Sequence, residues 1–164
     1  MAVYLRMSLT RHLVRQVRLV ALAERVLSAA GEAESELSLD LIGDRRMQRL
    51  NREYRQRDRT TDVLAFSTRE AIIPNGLFCR TSLLGDVVIS LPTAIRQAKM
   101  AGRSVDEELA ILLVHGVLHL CGYDHERSLR EADRMSRQEE AVLRHISPIP
   151  HIVTLRRRRQ IKDN

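Results

Sequence analysis

The chain has 164 residues, of which 44% are hydrophobic and 29% are charged, and its formal net charge at neutral pH is +6. This length and balance are typical of one globular domain with a real core and exclude a wholly disordered chain. Three tyrosines, two phenylalanines and no tryptophan provide too few rings for a surface that stacks single-stranded bases. The positive charge is carried almost entirely by arginine, which suits a polyanionic partner or reflects only an arginine-rich proteome.

Hydrophobic periodicity and end signals predict alternating strands and helices, followed by a run of helices. In chain order the predicted elements are a strand over 2–9, a helix over 11–30, a strand over 36–42, a helix over 44–51, strands over 62–66 and 85–90, a helix over 91–101, and two helices that begin after Ser104 and Ser128. Residues 67–84 contain Pro-Asn-Gly and predict a hairpin-like or irregular connection.

Several helix ends carry their own signals. Thr10 is a plausible cap for the first helix, and Gly31 is its expected stop. The patterns S-x-x-E at 104–107 and 128–131 predict capping boxes for the last two helices. The first of these two helices is apolar almost all round, so it should lie at the centre of the fold.

The order of elements predicts an α+β fold. We expect a single domain over residues 1–146, with a small mixed four-stranded sheet packed against about five helices. Residues 147–164 follow as a basic tail that includes Arg156 to Arg159 and is expected to be flexible.

Three histidines stand in the stretch H-G-V-L-H-L-C-G-Y-D-H over residues 115–125. His115 and His119 are four residues apart and therefore share one face of a helix. Gly122 supplies a turn that can bring His125 back as a third ligand. Imidazole suits zinc and similar divalent ions, and three protein ligands leave one position open, as in catalytic metal sites.

Position 116 is glycine, whereas zinc peptidases with this histidine spacing have a glutamate there as general base. A peptidase is therefore the weaker interpretation, and proton transfer must come from another group. Asp124 is one candidate, although it could equally orient a histidine from behind. Cys121, two residues past His119, points to another face and is interpreted as a packed thiol instead of a ligand.

Two more stretches accompany the histidines: L-N-R-E-Y-R over 50–55 with T-D-V-L over 61–64, and L-G-D-V-V-I over 84–89. Together with the histidine stretch they resemble the signature blocks of the YbeY family of bacterial ribosomal-RNA maturation factors. The resemblance covers residues 3–146. Ala65 departs from it, because the family usually has serine there, and the arginine-rich C-terminal tail lies outside the shared pattern.

The resemblance implies a metal-dependent endoribonuclease that cuts single-stranded RNA in ribosomal RNA maturation, notably at the 16S rRNA 3′ end, and that acts in ribosome quality control. It implies that His115, His119 and His125 hold one ion, zinc or another divalent metal, and that Arg55 is the catalytic arginine. The implied partners are ribosomal RNA and the ribosome or small-subunit assembly proteins.

Cleavage of a phosphodiester requires stabilisation of negative charge, which a metal and an arginine fork can provide. Arg55 suits that role, with Arg59 as a second candidate. Asn51 and Asp62 are candidates for shaping a cleft, and capping or turn roles are the alternative. Asp86 is a further candidate, with a structural role as its alternative.

Two other functions stay open at this point. One is a different zinc-dependent hydrolase, such as a peptidase. The other is a non-catalytic ribosome-assembly factor in which the metal is structural and the basic surface binds. The second predicts that metal-ligand variants unfold while folded Arg55 variants keep function.

The two cysteines, Cys79 and Cys121, form no disulfide framework and fit a reducing compartment. Arg6 interrupts the first apolar run, so no signal peptide is expected. No apolar stretch approaches the ~18 residues of a membrane span. We therefore expect a cytoplasmic protein that makes no membrane contact.

Overall fold

The computed structural model describes residues 2–9, 11–68 and 82–156. Within these ranges the chain forms six strands and five helices. In order, they are β1 (Ala2–Met7), β2 (Leu13–Val14), α1 (Gln16–Ala29), β3 (Glu36–Ile42), α2 (Asp44–Arg55), β4 (Val63–Ser67), β5 (Leu83–Ser90), α3 (Leu91–Ala101), α4 (Val105–Leu120), α5 (Leu129–Ile146) and β6 (Val153–Thr154).

The main sheet has four strands in the order β1-β3-β5-β4. Strand β3 pairs in parallel with β1 and with β5, whereas β4 runs antiparallel to β5 at one edge. This mixed sheet and the five helices confirm the predicted α+β class and the single domain. Among the described residues, no helix is both long enough and apolar enough to cross a lipid bilayer.

Helix α4 lies at the centre, as its apolar sequence predicts. Its buried side chains include Leu113 and Val117, which belong to the main hydrophobic core together with residues of α1, α5 and the sheet. The helix begins at the predicted capping box, in which Ser104 and Glu107 exchange side-chain and backbone hydrogen bonds. Gly116 brings α4 close to the sheet, because a Cβ atom there would lie only 2.8 Å from Cγ1 of Val87.

The predicted start of the first helix is wrong. Helix α1 begins at Gln16, not at residue 11, and Leu13 and Val14 instead form the short strand β2. Strand β2 pairs antiparallel with β6, and the N–H of Arg15 donates to the carbonyl of Ile152 at 2.9 Å. Local periodicity cannot reveal a pairing with so distant a segment. Thr10 lies outside the described residues.

The domain boundary predicted at residue 146 is also wrong for residues 147–156. Ile152 is fully buried and Val153 is 4% exposed, and both belong to the main core. Oδ1 of Asp106 accepts the backbone N–H groups of Ile152 at 2.9 Å and Val153 at 2.8 Å. The C-terminal segment is therefore tied to the start of α4 up to at least β6, and the rest of the predicted tail, residues 157–164, lies outside the described part.

Most of the remaining boundaries agree to within about two residues, but helix α2 continues past its predicted end at Asn51 to Arg55. Strand β3 and helix α3 begin and end at the predicted residues. At the start of α5, Ser128 accepts a hydrogen bond from the N–H of Glu131, which is one of the two hydrogen bonds of the predicted capping box. Most of the predicted irregular connection, residues 69–81, lies outside the described ranges.

Candidate metal centre and its cleft

The three histidines converge at the C-terminal end of α4. His115 and His119 lie on one face of the helix, which ends at Leu120. Gly122 then adopts a φ of +93°, a conformation that glycine reaches without strain, and the chain reverses. His125 returns beside the other two, so that one ligand atom of each ring lies within 4.8 Å of the others. The predicted convergence is present, and the three rings can hold one metal ion.

The donor chemistry of this cluster fits a divalent metal. Nε2 of His115 and Nε2 of His119 lie 3.0 Å apart. Burial lowers the pKa of His119, and the neighbouring His115 and His125 lower it further, which favours the neutral ring. A metal requires the neutral imidazole, with its lone pair free, as ligand.

Glu139 of α5 contacts the first histidine from behind. Its Oε1 lies 2.5 Å from Nδ1 of His115. A carboxylate accepts a hydrogen bond from the Nδ1–H group, and the tautomer that this contact requires leaves the lone pair on Nε2, which faces His119. Sequence reasoning missed Glu139. The available signal was an acidic residue in line with Met135 and Val142, the buried positions of an amphipathic helix.

The histidines form one side of a cleft of about 410 Å³. Its other sides come from the end of α2, the segment that leads into β4, and the turn after α4. The lining residues are Arg55, Arg57, Thr61, Asp62, Val63, Ala65, His115, Gly116, His119, Asp124, His125 and Glu126. Of the predicted site residues other than the histidines, the cleft includes Arg55, Asp62 and Asp124.

The end of α2 places two arginines at the cleft. Arg55 is the last residue of the helix, and Gln56 takes a left-handed φ of +55° that turns the chain so that Arg57 also lines the cleft. Asn51 is buried, and its Nδ2 donates to the carbonyl of Arg59 at 2.8 Å. Asn51 therefore fixes this turn. Arg59 contributes its backbone to the turn, and Arg57 occupies the cleft position that we expected for Arg59.

Asp62 and Asp124 both support the backbone around the cleft. Oδ1 of Asp62 accepts a hydrogen bond from the N–H of Val63 at 2.8 Å, and its Oδ2 accepts one from Nε2 of Gln97 at 3.0 Å. Oδ1 of Asp124 accepts the N–H of Glu126 at 2.9 Å, and this hydrogen bond lowers the pKa of Asp124. These contacts hold the turn that carries His125, and among the described residues Asp124 makes no hydrogen bond to a histidine ring.

Asp86 lies away from the site. Alternate residues of a strand face opposite sides of a sheet, and Val87 faces Gly116 of α4. Asp86 therefore faces the other side, where its Oδ1 lies 3.9 Å from Nη2 of Arg6. The structure does not bring Asp86 to the cleft, and its contact with Arg6 supports the structural alternative.

Sequence reasoning missed five residues at or behind the cleft besides Gly116: Arg57, Thr61, Val63, Glu126 and Glu139. Arg57 stands between the two blocks of the upstream resemblance, Thr61 and Val63 belong to the second block, and Glu126 directly follows the histidine stretch. Ala65 lines the cleft as well, so the departure from the family pattern noted above occurs at the site itself.

The chain is similar to several known proteins. A family model described as endoribonuclease YbeY matches residues 7–147. The chain is 45% identical over 135 residues to the endoribonuclease YbeY of Geobacter metallireducens, covering 80% of this chain and 87% of that protein. It is 41% identical over 139 residues to the Aquifex aeolicus protein of the same name, covering 85% of this chain and 89% of that one.

A third relative is the endoribonuclease YbeY of Anaeromyxobacter sp. strain Fw109-5, which is 50% identical over 127 residues, 77% of this chain and 62% of that protein. The fold is similar to the solution structure of TM1509 from Thermotoga maritima, with a TM-score of 0.58, 20% identity and 88% coverage of each chain. The family model and the extent of these matches show that the chain belongs to the endoribonuclease YbeY family.

Proposed function

We propose that this protein is a metal-dependent endoribonuclease that cleaves single-stranded segments of ribosomal RNA. Family membership supports the class of enzyme. The observation that carries the proposal is the meeting of three imidazoles with Arg55 and Arg57 in one cleft. This pairing of a cation site with guanidinium groups suits a substrate that has a phosphodiester at its reacting centre.

His115, His119 and His125 would hold the ion, and zinc is the metal that we propose, because an all-imidazole donor set suits it. Other divalent metals remain compatible with these donors. When bound, such an ion supplies Lewis-acid stabilisation of negative charge on a phosphoryl oxygen and makes a water molecule more acidic.

Arg55 is the catalytic arginine of this proposal. A guanidinium stays charged at any physiological pH and can bind two phosphate oxygens at once. Arg55 lines the cleft opposite the histidines and lies near enough to His119 to lower its pKa slightly. Arg55 would orient the scissile phosphate and stabilise the charge that builds on its oxygens, and Arg57 would bind a phosphate beside it.

The proposed setting is ribosomal RNA maturation, with the 3′ end of 16S rRNA as the principal substrate, together with ribosome quality control. The proposed partners are the ribosome or small-subunit assembly proteins. The net charge of +6 supports binding to such polyanionic assemblies. Because ribosomal RNA is processed in the bacterial cytoplasm, the proposal places the protein there.

The test is a cleavage assay on a structured RNA with single-stranded segments. It would compare the wild type, the chelated wild type before and after addition of zinc, and the variants Arg55→Ala and His119→Ala. Arg49→Ala is the matched control, because Arg49 is exposed on the same helix as Arg55 but does not line the cleft. Circular dichroism would show whether each variant is folded.

We expect cleavage by the wild type and by Arg49→Ala, a loss in both cleft variants, and recovery only after zinc is added to the chelated protein. Equal cleavage by every preparation would mean a contaminating nuclease. Folded protein that retains zinc but cleaves no RNA would favour a different zinc-dependent hydrolase. Tight ribosome binding without cleavage, with unfolding of His119→Ala, would favour an assembly factor with a structural metal.

A further inference from the structure

A second groove, of about 560 Å³, continues from the metal cleft. The groove and the cleft share Asp62, Val63 and His115, so one extended ligand could occupy both. Beyond His115, the groove runs between the C-terminal half of α3 and the facing side of α4. We call it the α3–α4 groove and define it by Gln97, Met100, Arg103, Glu108, Ile111 and Glu139 in addition to the three shared residues.

The charges of the α3–α4 groove do not suit a phosphate. Three carboxylates line it, those of Asp62, Glu108 and Glu139, and they outnumber the single guanidinium of Arg103. Negative charge in a confined groove repels a phosphate group. The arginines that can bind phosphate, Arg55 and Arg57, both line the metal cleft on the other side of His115.

The groove also contains hydrogen-bond acceptors that lack donors. Nε2 of Gln97 donates to Oδ2 of Asp62 at 3.0 Å, which fixes the orientation of the amide. The Oε1 of Gln97 is then buried and accepts no hydrogen bond from the described residues. A buried acceptor of this kind is costly unless a ligand or water molecule supplies a donor.

Glu108 of α4 also has a buried oxygen that accepts no hydrogen bond from the described residues. The residue is 5% exposed, although it is an acid in the middle of an apolar helix. Nε of Arg103 forms an ion pair with Oε2 of Glu108 at 2.9 Å, but this oxygen accepts no hydrogen bond from the described residues. Burial raises the pKa of Glu108 against the opposing effect of Arg103, as expected for an acid that is short of donors.

We propose that the α3–α4 groove binds a nucleobase of the RNA strand next to the scissile phosphate and prefers a base with an amino group over uracil. The inference rests on the proposed action on RNA. Guanine, adenine and cytosine each carry an exocyclic amino group that can donate to the oxygens of Gln97 and Glu108. Uracil has carbonyl oxygens in the corresponding places, and these would face the groove's own acceptors.

The size and the remaining lining of the groove agree with this ligand. Its volume lies in the range of sites that bind small molecules. Met100 is 87% exposed and lines the groove together with Ile111, so an apolar surface is available to the face of a planar ring. The metal cleft would then bind the phosphate, and the α3–α4 groove would bind the adjacent base.

The test measures binding and cleavage separately. Fluorescently labelled RNA hexamers, either all uridine or with one internal guanosine, would be titrated with chelated protein so that no hydrolysis occurs. The same RNAs would then be incubated with zinc-loaded protein to map cleavage positions. The variants are Glu108→Gln and Gln97→Met, which keep the size of each side chain. Glu140→Gln, at an exposed position of α5 outside the groove, is the control.

We expect the guanosine hexamer to bind about fivefold more tightly or better, the lower end expected for one good base contact. Both groove variants should reduce this ratio to below about twofold, while Glu140→Gln keeps it. A ratio near one in the wild type, or an unchanged ratio in both folded groove variants, would overturn the inference. Cleavage without base preference would overturn the inference and leave the proposed function standing. Base-selective binding without cleavage would support the groove and count against the nuclease.

Discussion

At the scale of single residues, the site depends on a contact between two helices. Glu139 of α5 accepts a hydrogen bond from Nδ1 of His115 in α4 at 2.5 Å. Nε2 of the same histidine is then directed at the metal position. A residue behind a metal ligand fixes the ring and increases its basicity. The spacing of the three histidines made them predictable from sequence. The sequence marks Glu139 only as an acid on the buried side of α5, because its contact with His115 depends on how α5 packs against α4.

We expect Glu139→Gln to weaken zinc binding by about 10- to 100-fold, because an amide holds the imidazole less firmly and adds no negative charge. Competition with a chromogenic zinc chelator measures this directly and does not depend on RNA cleavage. Glu140→Gln is the matched control, because Glu140 is exposed on the same helix. Equal zinc affinity in the two variants would show that the Glu139 contact has no influence on the metal.

A second residue links stability to pH. Burial alone would raise the pKa of Asp44, but hydrogen bonds from Arg96, Ser90 and Thr93 outweigh it and lower the pKa to about 2. An acid whose pKa is lower in the folded state than in the unfolded state stabilises the fold at pH values above its unfolded pKa. This contribution is lost as the pH falls towards the folded pKa. The loss should occur between about pH 4 and pH 2.

We therefore expect Asp44→Asn to flatten the dependence of the unfolding free energy on pH in that interval, as measured by urea unfolding at several pH values. The effect should be modest, because the side chain of Asp44 is 33% exposed and solvent screens its ion pair with Arg96. Asp133→Asn, at an exposed position of α5, is the comparison and should leave the slope unchanged. Parallel pH profiles for Asp44→Asn and the wild type would contradict this role.

At the scale of elements, the close approach of α4 to the sheet sets the position of the histidines. Alanine is favoured over glycine in a helix by about 1 kcal/mol. At position 116, however, the added Cβ would lie 2.8 Å from Cγ1 and 3.1 Å from Cγ2 of Val87. Overpacking of this kind costs about 1–3 kcal/mol and should exceed the gain in helix propensity.

We expect Gly116→Ala to lower the free energy of unfolding and the zinc affinity together, since the helix must move away from β5. Val87→Ala removes the methyl groups that would clash, so the double variant should recover part of the loss. Urea unfolding of the wild type, both single variants and the double variant gives the coupling. If the two effects simply add, the clash is not the cause.

The elements also show what sequence can predict. Strand β3 and helices α3 and α4 follow from local alternation, capping and apolar runs. Both bounds of β3 and α3 and the start of α4 agree with prediction. The predicted start of α1 was wrong, because residues 13–14 pair with residues 153–154 and the local pattern contains no information about that partner. The position of Asp86 was not predicted for a related reason. Whether a strand residue faces the site depends on which helix covers that side of the sheet.

At the scale of the whole molecule, the C-terminal segment belongs to the fold. Ile152 and Val153 are buried in the core, and Asp106 accepts hydrogen bonds from both backbone N–H groups. This packing was hard to predict, because two prolines after α5 and a run of arginines are typical of a tail. Burial of these two apolar side chains depends on a surface that only the assembled helices provide.

We expect a chain truncated after Ile146 to be less stable than one truncated after Arg156, by about 3 kcal/mol or more, given the burial of one isoleucine and one valine. The first truncation also leaves Asp106 without its two backbone donors. Thermal unfolding of both truncated chains, each compared with the complete chain, provides the measurement. If both truncated chains unfold at the same temperature, the segment from 147 to 156 adds nothing to stability.

The antiparallel pairing of β2 with β6 has a consequence for the synthesis of the chain. Its two strands are far apart in sequence, so closing it is slow compared with forming a local helix. During translation, residues 13–15 leave the ribosome early and must wait for their partners around residue 153. A chain that stops short of β6 can form its helices and main sheet but exposes apolar surface that Ile152 would cover. Surface of that kind is recognised by proteases and chaperones, so truncated copies of this protein should be short-lived in the cell.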